Sequence, residues 1–188
     1  MKELSLPLKR FLRVLTLAYA TFFGLAAHAE LPEVERLLTD LRQSTPAEAL
    51  RISAEILERW SSSGSPAMDY LLMRGKAAIE AKDYAEAIHH LTALTDHAPQ
   101  FAEGWNQRAT AFFYAERYGE ALHDIEQTLA LNPNHFNALT GLGLILQAMG
   151  YEAEALQALE SVLAIHPHAP DVEQAVTKLR ASVGGTAL

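Results

Sequence analysis

Residues 101–134 read FAEGWNQRATAFFYAERYGEALHDIEQTLALNPN, and this stretch decides the fold. The chain repeats its pattern of small, large and turn-forming residues at a spacing of 34 positions before and after it. Three prolines mark the period: Pro99, Pro133 and Pro167. Such a period indicates a repeat architecture, in which each unit is one supersecondary structure stacked on the next.

Each repeat is predicted to form two helices joined by a short turn. Apolar residues recur at helical spacing, and a proline ends the second helix because it has no N–H to donate. Small residues in both helices allow close packing within a repeat. They are Gly75, Ala109 and Gly143 in the first helices and Ala87, Ala121 and Ala155 in the second.

This pattern resembles the tetratricopeptide repeat (TPR) family, whose motif is W-x2-L-G-x2-Y, then A-x3-F, then P. The middle repeat carries it as Trp105, Arg108, Ala109, Phe112, Ala121, Ile125 and Pro133. The first carries Leu71, Arg74, Gly75, Ala78, Ala87, Leu91 and Pro99. The third carries Leu139, Leu142, Gly143, Leu146, Ala155, Leu159 and Pro167. The resemblance implies an all-α fold, a right-handed α-solenoid of helix-turn-helix repeats at 68–101, 102–135 and 136–169.

The segments on either side of the repeats are also predicted to be helical. Residues 30–65 form a divergent helical hairpin, with helices over 30–43 and 46–60, that serves as a first repeat or as an N-terminal cap. Residues 170–181 form a C-terminal capping helix, since terminal units with a polar outer face keep a repeat stack soluble. We expect residues 182–188 to be a disordered tail.

Residues 1–29 have the three-part pattern of a secretory signal peptide. A basic start is followed by the uncharged run 14–27 and by a small-x-small site, Ala27-His28-Ala29. The run is shorter than the ~20 residues that span a bilayer as a helix. We therefore expect cleavage after Ala29, a periplasmic or secreted protein and no stable membrane insertion afterwards. An uncleaved membrane anchor is the alternative.

Charge and composition exclude several classes of protein. The net charge is −8, and removing residues 1–29, with four basic residues and one acidic residue, makes it −11. Such a chain is a poor nucleic-acid binder, because phosphate contacts need clustered Lys and Arg. The absence of cysteine excludes disulfides, a thiolate zinc site, a cysteine nucleophile and a lipoprotein cysteine.

The resemblance implies a concave protein-binding groove built from the first helix of each repeat. Its predicted residues are Leu72, Lys76 and Ile79 in the first repeat, Glu103, Asn106, Thr110, Phe113 and Tyr114 in the second, and Asn137, Thr140, Leu144 and Gln147 in the third. Apolar and amide side chains dominate this set, which favours a protein or peptide ligand with an apolar segment.

Some TPR proteins hold a partner's C-terminal carboxylate with a clamp of Lys, Asn and Arg. The corresponding positions here are Leu72 and Lys76 in the first repeat, Asn106 in the second, and Asn137 and Gly141 in the third. Only Asn106 matches, so the sequence disfavours recognition of chaperone tails.

No pattern in the chain predicts catalysis or a cofactor. The glycines of Gly141-Leu142-Gly143 lie in a predicted helix rather than a phosphate-binding loop, and no G-x-S-x-G setting is present. Seven histidines follow residue 29, without an H-E-x-x-H or comparable ligand spacing. Two of them, His89 and His123, share a register on the outward side of neighbouring helices. We expect the histidines to be solvent-exposed.

The sequence therefore predicts an exported, non-enzymatic TPR scaffold for protein–protein interaction. Its expected role is an adaptor, co-chaperone or assembly factor for envelope proteins. Two alternatives stay open: a self-assembling structural unit whose repeat ends stack between copies, and a histidine-based carrier of a metal or small ligand. The oligomeric state is not predicted.

Overall fold

A computed structural model describes residues 33–185, and this part of the chain consists of helices joined by short turns. The predicted signal peptide and its cleavage site lie outside the described residues. The helices are α1 Glu33–Gln43, α2 Pro46–Trp60, α3 Pro66–Glu80, α4 Tyr84–His97, α5 Ala102–Tyr114, α6 Tyr118–Leu131, α7 Phe136–Ala148, α8 Glu152–Ile165 and α9 Pro170–Gly185. The prediction of an all-α solenoid is confirmed, with α3–α4, α5–α6 and α7–α8 as its three repeats.

Close packing of small against large side chains holds the two helices of each repeat together. A Cβ atom added to Gly143 would lie 2.6 Å from Cγ of Leu159, and one on Gly75 would collide in the same way with Leu91. The middle repeat carries Ala109 at this position, and Ala109 is buried. The helix axes approach closely because no larger side chain occupies this register.

The turn inside each repeat uses one residue in the left-handed region, at the same register. These residues are Lys82 (φ 61°), Glu116 (φ 58°) and Gly150 (φ 84°). After the second of them, Arg117 N–H donates to the Phe112 carbonyl oxygen at 2.9 Å, which caps the end of α5. Glycine adopts this conformation without strain, whereas lysine and glutamate pay a steric cost.

The middle repeat contains a buried ion pair that the other two repeats lack. Arg108 donates two hydrogen bonds to Asp124, at 2.7 and 2.9 Å, and a third to Thr95 of α4 at 2.8 Å. The Asp124 side chain is 1% exposed and that of Arg108 is 13% exposed. The guanidinium also lies 4.8 Å from the Trp105 ring centroid. This network joins α4, α5 and α6.

The C-terminal helix covers the last repeat but is longer than predicted. Val172, Val176 and Leu179 of α9 are buried in the same core as Leu159 of α8. The helix continues to Gly185, so residues 182–185, expected to belong to a disordered tail, are helical. Residues 186–188 lie outside the described part of the chain.

The N-terminal hairpin α1–α2 takes a position that the sequence did not predict. Trp60 stacks on His135, with ring centroids 4.6 Å apart, and lies 5.1 Å from Phe136. Arg42 donates to the Asn134 side chain at 3.3 Å, and His168 Nε2 donates to the Ser44 carbonyl oxygen at 2.8 Å. The hairpin thus packs on the loops before α7 and α9.

Both predicted helices of this hairpin are present, but the hairpin packs against the third repeat and not against the first. Leu41 and Ile56 of the hairpin are fully buried in the core that also contains Phe136 of the third repeat. The separate core cluster of the first repeat, built around Leu91 and Leu94, contains no hairpin residue. Long-range contacts with the third repeat outweigh stacking on the first. Within residues 33–185, no helix combines the length and hydrophobicity needed to cross a membrane.

Candidate functional site

A groove with a cavity of about 170 Å³ opens between α5 and α7. Its walls are uncharged and mainly apolar. The lining residues are Asn106, Ala109, Thr110, Phe113, Tyr114, Ile125, Asn137, Thr140, Gly141, Leu144 and Ile145. Ligand sites in proteins are typically concave and apolar with a few polar groups, as here.

Aromatic side chains form one wall of this groove at the C-terminal end of α5. Tyr114 is 52% exposed and stacks on Tyr84, with ring centroids 5.5 Å apart. Phe113 meets Tyr114 edge-on at 5.5 Å and lies 5.9 Å from Tyr118. Because two other rings, Tyr84 and Tyr118, support them, Phe113 and Tyr114 present a rigid surface to a ligand.

The opposite wall belongs to α7 and combines the apolar side chains of Leu144 and Ile145 with polar ones. Leu144 is 43% exposed although it is a large aliphatic residue. Asn137 is exposed at the start of the helix, and the Thr140 hydroxyl donates to the Phe136 carbonyl oxygen of its own helix. The amide of Asn137 therefore has donors and an acceptor available at the rim of an apolar cavity.

A buried polar network lies beside this groove and centres on Glu103. Its carboxylate accepts hydrogen bonds from Asn106 at 3.0 Å and Gln107 at 2.7 Å, and it lies 3.0 Å from His135 Nε2. The Lys76 ammonium lies 3.4 Å away. Glu103 is 5% exposed and His135 is fully buried, with Trp60 stacked on the imidazole.

The contacts of His135 fix its tautomer. Its Nδ1 accepts a hydrogen bond from the Ala138 N–H at 3.2 Å, so this nitrogen carries no proton. Nε2 carries the proton and donates it to Glu103. Burial alone raises the pKa of Glu103, but the hydrogen bonds from His135 and Gln107 and the charge of Lys76 outweigh it, so this pKa lies below its ordinary value.

Seven of the twelve predicted groove residues line the cavity. They are Asn106, Thr110, Phe113, Tyr114, Asn137, Thr140 and Leu144. Ile79 and Gln147 lie outside the lining, although Gln147 is exposed. Leu72 is 4% exposed and packs in the core of the first repeat, so a ligand on the surface cannot reach it. Lys76 and Glu103 pair with each other in the polar network.

Two residues that complete the site were not predicted from the sequence. Tyr84 begins α4, and its stacking on Tyr114 depends on how two repeats meet. His135 was expected to be solvent-exposed but is buried, which corrects that prediction. Its position immediately before α7 was an available signal, because residues there often cap the first turn. His89 and His123 are exposed.

A metal centre finds no support in the described residues. Between residues 33 and 185, no three His, Asp or Glu side chains are grouped in a way that could hold a metal ion. The ring centroids of His89 and His90 lie 5.7 Å apart, but no third potential ligand joins them in the described residues.

Known proteins share the repeat pattern of this chain. The sequence profile described as "Tetratricopeptide repeat" matches residues 36–101, 72–113 and 106–170. A TPR repeat-containing protein of Rhizobium etli is 32% identical over 161 residues, which cover 85% of this chain and 79% of that protein.

Two solved structures show the same fold. One is the first TPR of Spaghetti (RPAP3) bound to the HSP90 peptide SRMEEVD, with a TM-score of 0.61 and 24% identity, covering 64% of this chain and 95% of that one. The other is the crystal structure of MamA, with a TM-score of 0.59 and 21% identity, covering 84% and 87%. Both likenesses concern the fold alone. The profile and the Rhizobium relative span most of the repeats, and this chain belongs to the tetratricopeptide repeat family.

Proposed function

We propose that this protein is an exported adaptor that binds an apolar segment of a partner protein in the groove between α5 and α7. The observation that carries the proposal is the uncharged cavity of about 170 Å³, flanked by the exposed Tyr114 and Leu144. Such a cavity is large enough for an aliphatic side chain, and exposed aromatic and aliphatic residues around it are typical anchors of an interface.

The charges around the groove favour an internal segment over an acidic chain terminus. No charged side chain lines the cavity. The nearest cation in the polar network, Lys76, is already paired with Glu103 and donates a hydrogen bond to Ser61. The RPAP3 domain binds the HSP90 peptide SRMEEVD. A ligand of that kind would bring unpaired carboxylates to this uncharged surface, at the cost of desolvating them.

Export is the second part of the proposal, and it rests on the sequence of residues 1–29. The basic start, the uncharged run 14–27 and Ala27-His28-Ala29 support a cleaved signal and a periplasmic or secreted protein. Cell fractionation and N-terminal sequencing of the isolated protein test this part. A chain that begins at Glu30 outside the cytoplasm is the expected result, and an intact cytoplasmic chain contradicts it.

The groove is tested by affinity capture from the native envelope with single variants as bait. Tyr114→Ala and Leu144→Glu should each lose the captured partner, because they remove an anchor or place a charge at the cavity. Leu50→Glu is the matched control, since Leu50 is 75% exposed on the N-terminal hairpin and does not line the groove. Unchanged circular dichroism must accompany each loss. Retained capture by both groove variants would place the binding surface elsewhere.

A further inference from the structure

Helix α3 exposes an apolar stripe that nothing else in residues 33–185 covers. Pro66, Tyr70, Met73 and Ala77 are all exposed, Tyr70 by 56% and Met73 by 53%. At 3.6 residues per turn they fall within an arc of about 60°. We call these four residues the α3 face.

The positions of Tyr70 and Ala77 are buried in the following repeats. The residues 34 and 68 positions after Ala77 are Ala111 and Ile145, which are 0% and 2% exposed. Ala111 packs in a cluster with Leu91 and Leu94 of the preceding repeat. The α3 face is therefore the open end of the series of interfaces that builds the solenoid.

The N-terminal hairpin leaves this end open because it packs elsewhere. Its last helix places Trp60 on His135 and Phe136 of the third repeat. The position of Tyr70 explains why. Its counterpart in the second repeat is Gly104, where an added Cβ would already lie 3.2 Å from Leu94. A tyrosine at this register prevents a preceding repeat from stacking in the usual way.

The opposite end of the solenoid cannot supply a complementary surface. Helix α9 covers the last repeat, and Glu173, Gln174 and Lys178 are exposed on it. Head-to-tail stacking of copies would set these polar side chains against Tyr70 and Met73, which leaves the polar groups without hydrogen-bond partners. Pairing of one α3 face with another buries apolar surface on both sides.

We propose that the α3 face is a two-fold interface at which two copies of this chain pack α3 against α3. A two-fold interface brings the same patch of both copies together, and such dimers are the commonest symmetric assembly. The occupant is a second copy because the face continues an interface series that this chain already uses. We place the two-fold axis near Ala77, the last residue of the face along α3, because its small side chain allows the two helices to approach closely there.

The size of the face sets the strength of the dimer. One stripe on a helix of about 22 Å buries less than the ~800 Å² per partner of a standard interface. We therefore expect a reversible dimer with a dissociation constant on the order of 10 μM. No residue of the α3 face lines the groove, so the dimer presents two free grooves. A partner with two binding segments would gain avidity from such an arrangement.

Sedimentation velocity tests the proposal. The sample is the protein expressed with its own N-terminal segment and then purified. The weight-average mass should rise from monomer toward dimer between about 1 and 200 μM, a range that brackets the expected dissociation constant. Met73→Glu should remain monomeric throughout, since it buries a charge at the interface. Leu50→Glu, a charge on an even more exposed position of α2, should dimerise as the wild type does. A wild type that stays monomeric, or equal dimerisation of Met73→Glu, overturns the proposal.

Cysteine cross-linking locates the axis, because the natural chain contains no cysteine. Under mild oxidation, Ala77→Cys should form a disulfide-linked dimer at least about tenfold faster than Ala54→Cys, since thiols held within a complex have a higher effective concentration. Ala54 is exposed on α2 and serves as the control. Equal rates for the two variants would show that Ala77 is not near a two-fold axis and would overturn the proposed geometry.

Discussion

Replacing Arg108 by leucine should destabilise this protein far more than replacing Arg108 and Asp124 together. The single change Arg108→Leu leaves the Asp124 carboxylate, which is 1% exposed, without its two charged hydrogen bonds. An uncompensated buried charge costs about 3–5 kcal/mol. Asp124→Ala should cost about 2–3 kcal/mol, because it removes hydrogen bonds to a charged group that keeps some contact with water.

The third repeat shows how the double variant can be accommodated. Leu142 and Ala158 occupy the registers of Arg108 and Asp124 there, and they are 0% and 1% exposed. Arg108→Leu with Asp124→Ala copies this apolar solution, and apolar replacement of a buried ion pair is often neutral. Thr95 then loses its arginine contact but still donates to the Thr92 carbonyl oxygen at 3.1 Å. We expect the double variant to lose no more than about 1 kcal/mol.

Urea unfolding of the wild type and the three variants, followed by far-ultraviolet circular dichroism, measures these differences. The sum of the two single costs should exceed the cost of the double variant by at least about 3 kcal/mol. Equal urea dependence among the variants must be checked, since repeat stacks can unfold in parts. The reasoning fails if the two single-variant costs simply add up in the double variant, or if Arg108→Leu costs less than about 1 kcal/mol. Either result would mean that Asp124 does not depend on Arg108 to compensate its buried charge.

Three further changes have outcomes that the structure determines. In urea unfolding, Gly143→Ala should destabilise the protein by about 1 kcal/mol, because the new Cβ would lie 2.6 Å from Leu159 and this overpacking exceeds the gain in helix propensity. The control is Gly119→Ala, which should not destabilise the protein because its Cβ meets nothing within 4 Å. Lys82→Gly should raise the thermal midpoint and increase the free energy of unfolding by roughly 0.5–1 kcal/mol, because glycine adopts the left-handed backbone at φ 61° without strain. A lower midpoint would contradict this prediction. Burial, and secondarily the charge of His168, lowers the pKa of His166. The unfolded chain therefore binds this proton more tightly, so stability should fall as the pH drops below about 6.5; His166→Asn should reduce that loss between pH 7.5 and 5.5, and an unchanged pH dependence would contradict the assignment.

The regular part of the fold was predictable because its signals are local. A small residue such as Gly143 faces a leucine 16 positions later, and both recur at a spacing of 34 residues. Helix ends were equally accessible, since Pro99 and its counterparts stop a helix through their own chemistry. Most of the groove followed from the same register, including Phe113 and Leu144.

The groove predictions failed where burial depends on distant contacts. Leu72 was assigned to the binding surface but lies in the core of the first repeat. Glu103 was assigned as a surface group but is held by His135, 32 residues later in the chain. Helical periodicity identifies the face of a helix, but it does not show which neighbouring element covers that face.

The sequence by itself determined the repeats and their helices, because a 34-residue period and close small-to-large packing repeat within short range. The resemblance to the TPR family implied a groove on the first helices of the repeats. Only the tertiary structure decided where the N-terminal hairpin lies. Its docking depends on contacts such as Trp60 with His135 and Ser44 with His168, the latter 124 residues apart. No local pattern encodes such a pairing, since its partners are far apart in the sequence. The same placement buries part of the polar network beside the groove and leaves the α3 face open.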